Sequence, residues 1–133
     1  MASKFIRQSE VPVTDFDWGS AGMRCSKDNT GCGTFVVMDV TLEPGFAHDF
    51  HKHPDQDEMI IVKAGQVTQF IDGESTVLMP GDSVYLDKDV VHGSFNDGTE
   101  TAHLQVVLAP AMGEGGYELV DMSGDAPWST LRG

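Results

Sequence analysis

Glycine and proline divide this sequence into short segments, and this punctuation limits its fold more than any other feature. The turn signals are Gly31, Gly33, Pro44, Gly45, Gly65, Asp72, Gly73, Pro80, Gly81, Asp97, Gly98 and Pro110. Between them lie short runs rich in Val, Ile, Phe and Thr, at 34–42, 58–62, 67–71, 76–79, 84–86 and 102–109. Evenly spaced short strands are typical of antiparallel sandwiches and barrels. No stretch keeps the helical apolar period over three turns, so the sequence predicts an all-β fold.

The length and composition predict one domain. The chain has 133 residues, and 40% of them are hydrophobic, which is enough for a core without metal or disulfide support. We expect a single domain over 1–133, with an N-terminal arm over 1–30 that holds one or two strands. The barrel spans 31–110, and a C-terminal tail spans 111–133. We expect Trp128 in this tail to pack back on the body.

The charge balance excludes several classes of partner. Eight Lys and Arg residues face 21 Asp and Glu residues, for a formal net charge of -13. Such a surface repels nucleic-acid phosphates and anionic lipid, so we expect neither nucleic acid nor a membrane as partner. Neither a secretory signal nor a bilayer-spanning run is visible, and we expect a cytoplasmic protein. Only Arg7, Arg24 and Arg132 could make bidentate contacts with the carboxylate of an anionic substrate.

Cys25 and Cys32 are seven residues apart in a stretch that contains Gly31. A local disulfide could join them, but cytosolic thiols stay reduced, and we therefore expect two free thiols. The spacing is not that of a thiolate zinc site, and the sequence has no further cysteine to complete one.

Three histidines and a glutamate form the strongest chemical pattern in the chain. His51 and His53 are two apart in a segment predicted as a strand, which puts both imidazoles on one face. Glu58 opens the next apolar run and could pair back beside them, while His92 comes from a later strand. Three imidazoles and one carboxylate suit Fe, Mn, Ni, Zn or Cu. The sequence therefore predicts one divalent transition metal held by His51, His53, Glu58 and His92.

Two segments resemble the signature motifs of the cupin superfamily. The first is Gly45-x5-His51-x-His53-x4-Glu58-x6-Gly65, and the second is Gly81-x5-Asp87-x-Asp89-x2-His92-x3-Asn96. In the second motif the family has proline and glycine where this chain has Asp87 and Asp89. The resemblance implies a double-stranded β-helix, or jelly-roll barrel, with the four metal ligands near its centre. It also implies open coordination positions on the metal for water, oxygen or a chelating substrate.

Other polar residues are weaker candidates for catalysis. Asp49 shares the strand parity of His51 and could act as a base or an acceptor for a ligand, although a solvated carboxylate is also typical there. His48 has the opposite parity and is expected on the surface. If His103 faces inward, it is a candidate acid or base. Glu58 is expected to be both a metal ligand and a catalytic residue. Six apolar side chains could line a pocket or simply form core: Phe35, Met38, Met59, Phe70, Met79 and Phe95.

Three functions remain open at this point. The first is a metal-dependent oxygenase acting on a small organic molecule, which the Phe and Met content and the scarcity of Arg favour. The second is an isomerase, epimerase or lyase on a hydroxy-carbonyl compound such as a sugar derivative, with the metal as Lewis acid. The third is a non-catalytic metal- or ligand-binding module. A small antiparallel barrel also has exposed edges, and we expect a homodimer to cover them.

Overall fold

Within residues 4–132, which the computed structural model describes, eleven strands form two antiparallel sheets. The first sheet has the spatial order β1-β2-β3-β10-β5-β8. Its strands are β1 (Val13–Phe16), β2 (Gly19–Cys25), β3 (Val36–Leu42), β10 (Ala102–Ala109), β5 (Asp57–Ala64) and β8 (Ser83–Leu86). The second sheet has the order β11-β4-β9-β6-β7. Its strands are β11 (Val120–Asp121), β4 (Ala47–Lys52), β9 (His92–Phe95), β6 (Val67–Ile71) and β7 (Glu74–Leu78).

Helical structure in the described residues is limited to short turns. A 3-10 turn spans Gln8–Glu10, helix α1 spans Lys27–Thr30, and helix α2 spans Trp128–Leu131. None of the helices in residues 4–132 is long and apolar enough to cross a membrane. The expected N-terminal arm contributes strands β1 and β2, which extend the first sheet beyond β3. Residues 1–3 of that arm and Gly133 of the tail lie outside the described residues.

The main core lies between the two sheets and follows from strict alternation in the central strands. In β3 every second side chain is buried, and the same pattern holds in β10. The inward residues of these two strands are Val36, Met38, Val40, Leu42, Ala102, Leu104, Val106 and Leu108. Burial of each large aliphatic side chain contributes about 1.5–3 kcal/mol, so this row of side chains holds the first sheet against the second.

A second apolar cluster covers the outer face of the second sheet. Its buried members are Phe50, Phe70, Val91 and Phe95. Residues of the tail, Met122, Trp128 and Leu131, pack against it, which confirms the prediction that Trp128 folds back on the body. The tail ends with Arg132, whose guanidinium lies 4.0 Å from the centre of the Phe95 ring.

The all-β jelly-roll prediction is confirmed, with one correction about closure. Both sheets are antiparallel throughout, and they face each other across the core. In the part of the chain that the structure describes, no ladder of hydrogen bonds joins one sheet to the other. The two sheets are therefore held together by side-chain packing, and the barrel is not a single closed sheet.

Candidate metal centre

The four predicted ligands come together between the sheets. His51 lies in β4, His53 follows the end of that strand, Glu58 is in β5, and His92 begins β9. One ligand atom from each of the four lies within 4.8 Å of all the others. All four side chains are at most 6% exposed. The cluster thus draws on both sheets and is shielded from bulk water.

Backbone pairing and one tight turn position these side chains. His51 pairs directly with His92 across the β4–β9 ladder, which places the two rings side by side with centroids 4.2 Å apart. Before His92, Asp89 adopts φ +69°, in the left-handed region that glycine favours. Its N–H donates to the carbonyl of His53 at 2.9 Å, and its carboxylate pairs with Lys52 at 3.1 Å. Asp89 therefore occupies the glycine position of the cupin motif and keeps a left-handed turn there.

Each of the three histidines is oriented by a backbone carbonyl. The Nδ1 atom of His51 lies 2.6 Å from the carbonyl oxygen of Asp49, and that of His53 lies 2.7 Å from the carbonyl oxygen of Glu118. The Nδ1 atom of His92 lies 3.1 Å from the carbonyl oxygen of Val90. Because a carbonyl oxygen can only accept, each Nδ1 carries the proton and donates. The Nε2 lone pairs are thereby left for a metal, as in other histidine-ligated sites.

The charges in this cluster fit a cation. Glu58 Oε1 lies 2.9 Å from His92 Nε2 and 3.3 Å from His53 Nε2. With Nδ1 protonated, these nitrogens present lone pairs to a carboxylate oxygen, and within residues 4–132 neither Glu58 Oε1 nor His92 Nε2 has a well-formed hydrogen bond. Buried polar atoms of this kind need a partner. A divalent metal ion among the four ligand atoms would satisfy both of them.

The pKa values reflect the same balance of burial and charge. Burial alone would raise the pKa of the Glu58 carboxyl, but contacts with His53 and His92 outweigh it and hold this pKa well below its ordinary value. Burial, together with His48 and His92, lowers the pKa of His51 well below its ordinary value. Burial also opposes the charged form of His53, yet Glu58 raises the pKa of that ring on balance. An ionised Glu58 beside a neutral His51 is the protonation state that metal binding requires.

A one-residue irregularity in β4 corrects two sequence predictions. His48 pairs with Ser94 and His51 pairs with His92, so β4 has one residue more than β9 between these pairs. This β-bulge places His48 and His51 on the same inner side, although simple alternation predicts opposite sides. The prediction of a surface His48 is wrong. Asp49 is the exposed residue, and its carboxylate accepts a hydrogen bond from the N–H of Phe50 at 2.7 Å, so its side chain does not reach the cluster.

An aromatic stack leads from the surface to the cluster. The ring of Phe16, which is 47% exposed, stacks on Trp18 with centroids 4.8 Å apart and planes 7° apart. Trp18 stacks on His48 at 5.5 Å, and His48 stacks on His51 at 3.9 Å. Burial is the main cause that lowers the pKa of His48, to about 4, so this ring is neutral near pH 7.

A cavity beside the ligands has mostly apolar walls. His51, His53 and Glu58 border it on one side. The other residues around it are Phe16, Trp18, Ala21, Met38, Val40, His48, Ile60, Ser94, Leu104, Val106 and Tyr117. Of the six apolar side chains considered for a pocket, Met38 alone is in this group. Sequence reasoning missed Phe16, Trp18 and Tyr117, and no motif marks them, since they come from the arm and the tail.

The structure does not bring His103 to the site, so the prediction of a catalytic role for it is wrong. Leu104, Val106 and Leu108 are the buried residues of β10, and His103 lies exposed on the opposite face. It pairs across the sheet with Thr41 and Ala64. The alternation that builds the core on one face of β10 directs His103 into solvent on the other.

Known proteins resemble this chain in both sequence and fold. "Uncharacterized protein YdbB" from Bacillus subtilis is 44% identical over 46 residues, which are 34% of this chain and 41% of that protein, so the alignment spans less than half of the relative. The structure of KdgF from Halomonas sp. has 17% identity and a TM-score of 0.71, with 82% of this chain and 96% of that chain covered. A predicted oxalate decarboxylase from Thermotoga maritima has 18% identity and a TM-score of 0.72, with 80% and 98% covered.

The structural neighbours establish the fold, since their sequence identity is too low to say more. The family model for the cupin domain matches residues 38–108, which is more than half of the chain. That span runs from within β3 to within β10, and it contains both sequence motifs and all four ligands of the cluster. This chain is a member of the cupin family.

Proposed function

We propose that this chain is a metal-dependent oxygenase that acts on a small, uncharged, largely apolar molecule. The observation that carries the proposal is the cavity beside the His51, His53, Glu58 and His92 cluster. Within residues 4–132, its lining contains neither lysine nor arginine. Ligand sites of this kind are apolar with a few convergent polar groups. Here those groups are the metal ligands themselves, together with His48, Ser94 and Tyr117.

The positions of the arginines argue against an anionic substrate. Arg24 hydrogen-bonds to Asp39 at 2.8 Å, Arg132 pairs with Asp97 at 2.7 Å, and Arg7 lies 3.9 Å from Glu10. None of the three borders the cavity. The formal net charge of -13 adds an unfavourable field for anions. A sugar acid or a dicarboxylate would therefore find a cation here only in a bound metal.

The ligands and the walls have separate roles in this proposal. His51, His53, Glu58 and His92 would hold one divalent transition metal ion, such as Fe, Mn, Ni, Zn or Cu. A bound Fe(II) ion would supply redox chemistry toward dioxygen. The aliphatic wall, which includes Val40, Ile60 and Val106, excludes water and gives the substrate an apolar surface. The rings of Tyr117 and His53 are arranged edge to face, with centroids 6.2 Å apart, and Tyr117 borders the cavity, where it could orient a bound molecule.

A second candidate function is an isomerase or lyase, and His48 is the observation in its favour. A neutral imidazole beside a metal site could accept a proton from a substrate. The pKa of His48, lowered to about 4 mainly by burial, makes it a weak base at neutral pH. The predicted oxalate decarboxylase among the structural neighbours would be a lyase, but the lack of cations in this cavity does not suit such an anion. The oxygenase proposal therefore ranks first.

The test begins with the metal content of protein purified without chelators or a His-tag. Elemental mass spectrometry that finds close to one equivalent of iron, and oxygen uptake with uncharged aromatic or aliphatic compounds, would support the proposal. Metal binding without oxygen uptake, but with solvent-proton exchange into hydroxy-carbonyl compounds, would replace it with the isomerase or lyase. Metal binding with neither activity would indicate a non-catalytic module. Failure to retain Fe, Mn, Ni, Cu or Zn after reloading would remove the metal centre.

We also propose the homodimer that the sequence favours. Strand β7 lies at the edge of the second sheet, and β8 lies at the edge of the first. These edges carry exposed apolar side chains, among them Val77 and Tyr85, both 52% exposed. Such edges are often covered by a second copy. Light scattering should give twice the monomer mass, and a clean monomer mass would contradict the proposal.

A further inference from the structure

Two thiols lie close together in a short turn outside the metal centre. Cys25 ends β2, and Cys32 follows helix α1. The Cys25 thiol lies beside the Cys32 sulfur and lowers the pKa of that thiol. The Thr30 hydroxyl connects the two cysteines. It donates to the carbonyl of Ser26 at 2.9 Å, so its Oγ1 accepts from the Cys25 thiol at 3.2 Å and from the Cys32 N–H at 3.2 Å. Both cysteines are half-buried and free.

The turn that joins the two cysteines is held by its own hydrogen bonds. Ser26 and Asn29 form a capping box at the start of α1. The Asn29 amide also donates to the carbonyls of Met23 and Arg24, at 3.2 Å and 2.9 Å. Gly31 ends the helix with φ +82°, a conformation that favours glycine. The contact between the thiols is therefore part of an ordered local structure.

The surroundings of Cys32 favour a thiolate. Its sulfur accepts hydrogen bonds from the N–H groups of Phe35 and Thr34, which lower the pKa of the thiol, and the Cys25 thiol and the charge of Lys4 act in the same direction. Lys4 is held nearby, since its ammonium donates to the carbonyl of Thr30 at 2.6 Å. The thiolate is the nucleophilic form of cysteine, and a lowered pKa together with partial exposure is typical of reactive cysteines.

Cys32 is also accessible to a small molecule. It borders a surface cavity formed by the turn around α1 and by residues 111–116. Gly33 and Gly115 are in that lining, so little side-chain bulk obstructs the approach. No residue of this cavity belongs to the lining of the cavity beside the metal ligands.

From the thiol contact, the N–H donors and this access, we propose that Cys25 and Cys32 form a reactive dithiol that reduces small hydroperoxides and closes to a disulfide. The Cys32 thiolate attacks the outer oxygen of the hydroperoxide, the O–O bond breaks, and an alcohol or water leaves after taking up a proton. Cys32 becomes a sulfenic acid. The Cys25 sulfur then attacks the Cys32 sulfur, and water leaves as the S–S bond forms. The two thiols are oxidised by two electrons, and the hydroperoxide is reduced by two.

The test treats the reduced full-length chain with one equivalent of hydrogen peroxide and counts thiols and intact mass. We expect the wild type to lose both thiols, to lose two hydrogen atoms in mass without dimerising, and to recover with dithiothreitol. In Cys25→Ser, dimedone should capture a sulfenic acid on Cys32. In Cys32→Ser, the remaining thiol should react at least about tenfold more slowly than the wild type. The same results are expected after chelator treatment, so failure of the metal proposal would leave this test intact.

Three outcomes would overturn the proposal. The first is a Cys32→Ser variant that oxidises as fast as the wild type. The second is a folded chain that reacts no faster than the same chain unfolded in guanidinium, which would mean that the fold does not activate the thiol. The third is a product linked between chains instead of within one. Circular dichroism of both serine variants checks that each keeps the wild-type fold.

Discussion

The Nδ1 atom of His53 lies 2.7 Å from the carbonyl oxygen of Glu118, a residue 65 positions further along the chain. The orientation of one ligand therefore depends on a segment that follows the last strand of the first sheet. Gln56 holds that segment in place. Its side-chain amide donates to the carbonyls of Pro110 and Gly116, at 2.8 Å and 3.1 Å, and its Oε1 accepts the N–H of Glu118 at 3.0 Å.

Replacement of Gln56 by Met should weaken metal binding without removing a ligand. The variant keeps the approximate shape of the side chain but leaves buried backbone groups unpaired, which should lower the free energy of unfolding by about 1–3 kcal/mol. Loss of a group that orients a ligand typically lowers metal affinity about 10-fold to 100-fold. Chelator competition measures the affinity. Gln105→Met, on the outer face of β10, is the control and should keep wild-type affinity; an unchanged affinity in Gln56→Met would contradict the orienting role.

Replacement of Glu58 by Gln should remove most metal binding. The amide is neutral and cannot balance a divalent cation, so affinity should fall by more than about 100-fold, and any activity should be lost. Asp49→Asn changes an exposed carboxylate in β4 of the other sheet, and this variant should retain metal as the wild type does. Elemental analysis after gel filtration compares the two. Equal metal content in Glu58→Gln and the wild type would refute the role of Glu58.

Two glycines of the first cupin motif should differ in their sensitivity to alanine. Gly45 and Gly65 have φ +85° and +73°, so alanine at either costs about 1–2 kcal/mol in backbone strain. An added Cβ at Gly45 meets nothing within 4 Å, whereas at Gly65 it lies 2.7 Å from the carbonyl oxygen of Thr101. Gly65→Ala should therefore lose about 1–3 kcal/mol more than Gly45→Ala in urea unfolding. Equal losses would show that the close contact at Gly65 adds nothing to the backbone strain that both variants share.

Acid should loosen the C-terminal tail through Asp97. Arg132 is the main cause that lowers the pKa of the Asp97 carboxyl below its ordinary value of 3.8. A carboxyl whose pKa is lowered in the folded state stabilises the fold at pH values above its ordinary pKa of 3.8. This contribution is lost as the pH falls below 3.8 and through the lowered pKa. Fluorescence of Trp128 in a Trp18→Phe background should change over this range.

Asp97→Asn should remove that part of the fluorescence change and cost less than about 1 kcal/mol at neutral pH, because the pair is half-exposed. Asp125→Asn, a change in the same tail, should leave the change intact. A pH profile of Asp97→Asn that matches the wild type would show that other groups control the docking of the tail.

The ligand set could be predicted from sequence because it depends on local spacing within two motifs. His51, His53 and Glu58 lie on one strand and the next, and the glycines around them set the turns. The inward orientation of the His48 side chain could not be predicted, because the bulge depends on the pairing of β4 with β9. The orientation of His103 was equally open, since the side chains of β10 alternate between two faces and only the packing of the sheets decides which face is buried.

The cavity walls were beyond sequence reasoning for a different reason. Trp18 and Tyr117 come from opposite ends of the chain and meet only after both sheets have formed. Their neighbours in sequence carry no motif, and an aromatic residue in a strand or loop is usually ordinary packing. Fold and metal ligands are thus encoded locally, whereas the groups that would select a substrate depend on long-range contacts.

The extra residue in β4, Asp49, makes the sheet pairing less regular but contributes to the orientation of a ligand. Without Asp49, His48, Phe50 and His51 would pair one-to-one with Ser94, Gly93 and His92, and all three side chains would keep their present sides. A chain with Asp49 deleted would therefore form the more regular sheet. It would also lack the carbonyl that now accepts the Nδ1–H of His51 at 2.6 Å. A shortened β4 could thus fold as well as the present strand and still leave one imidazole free to turn its lone pair away from the other three ligands.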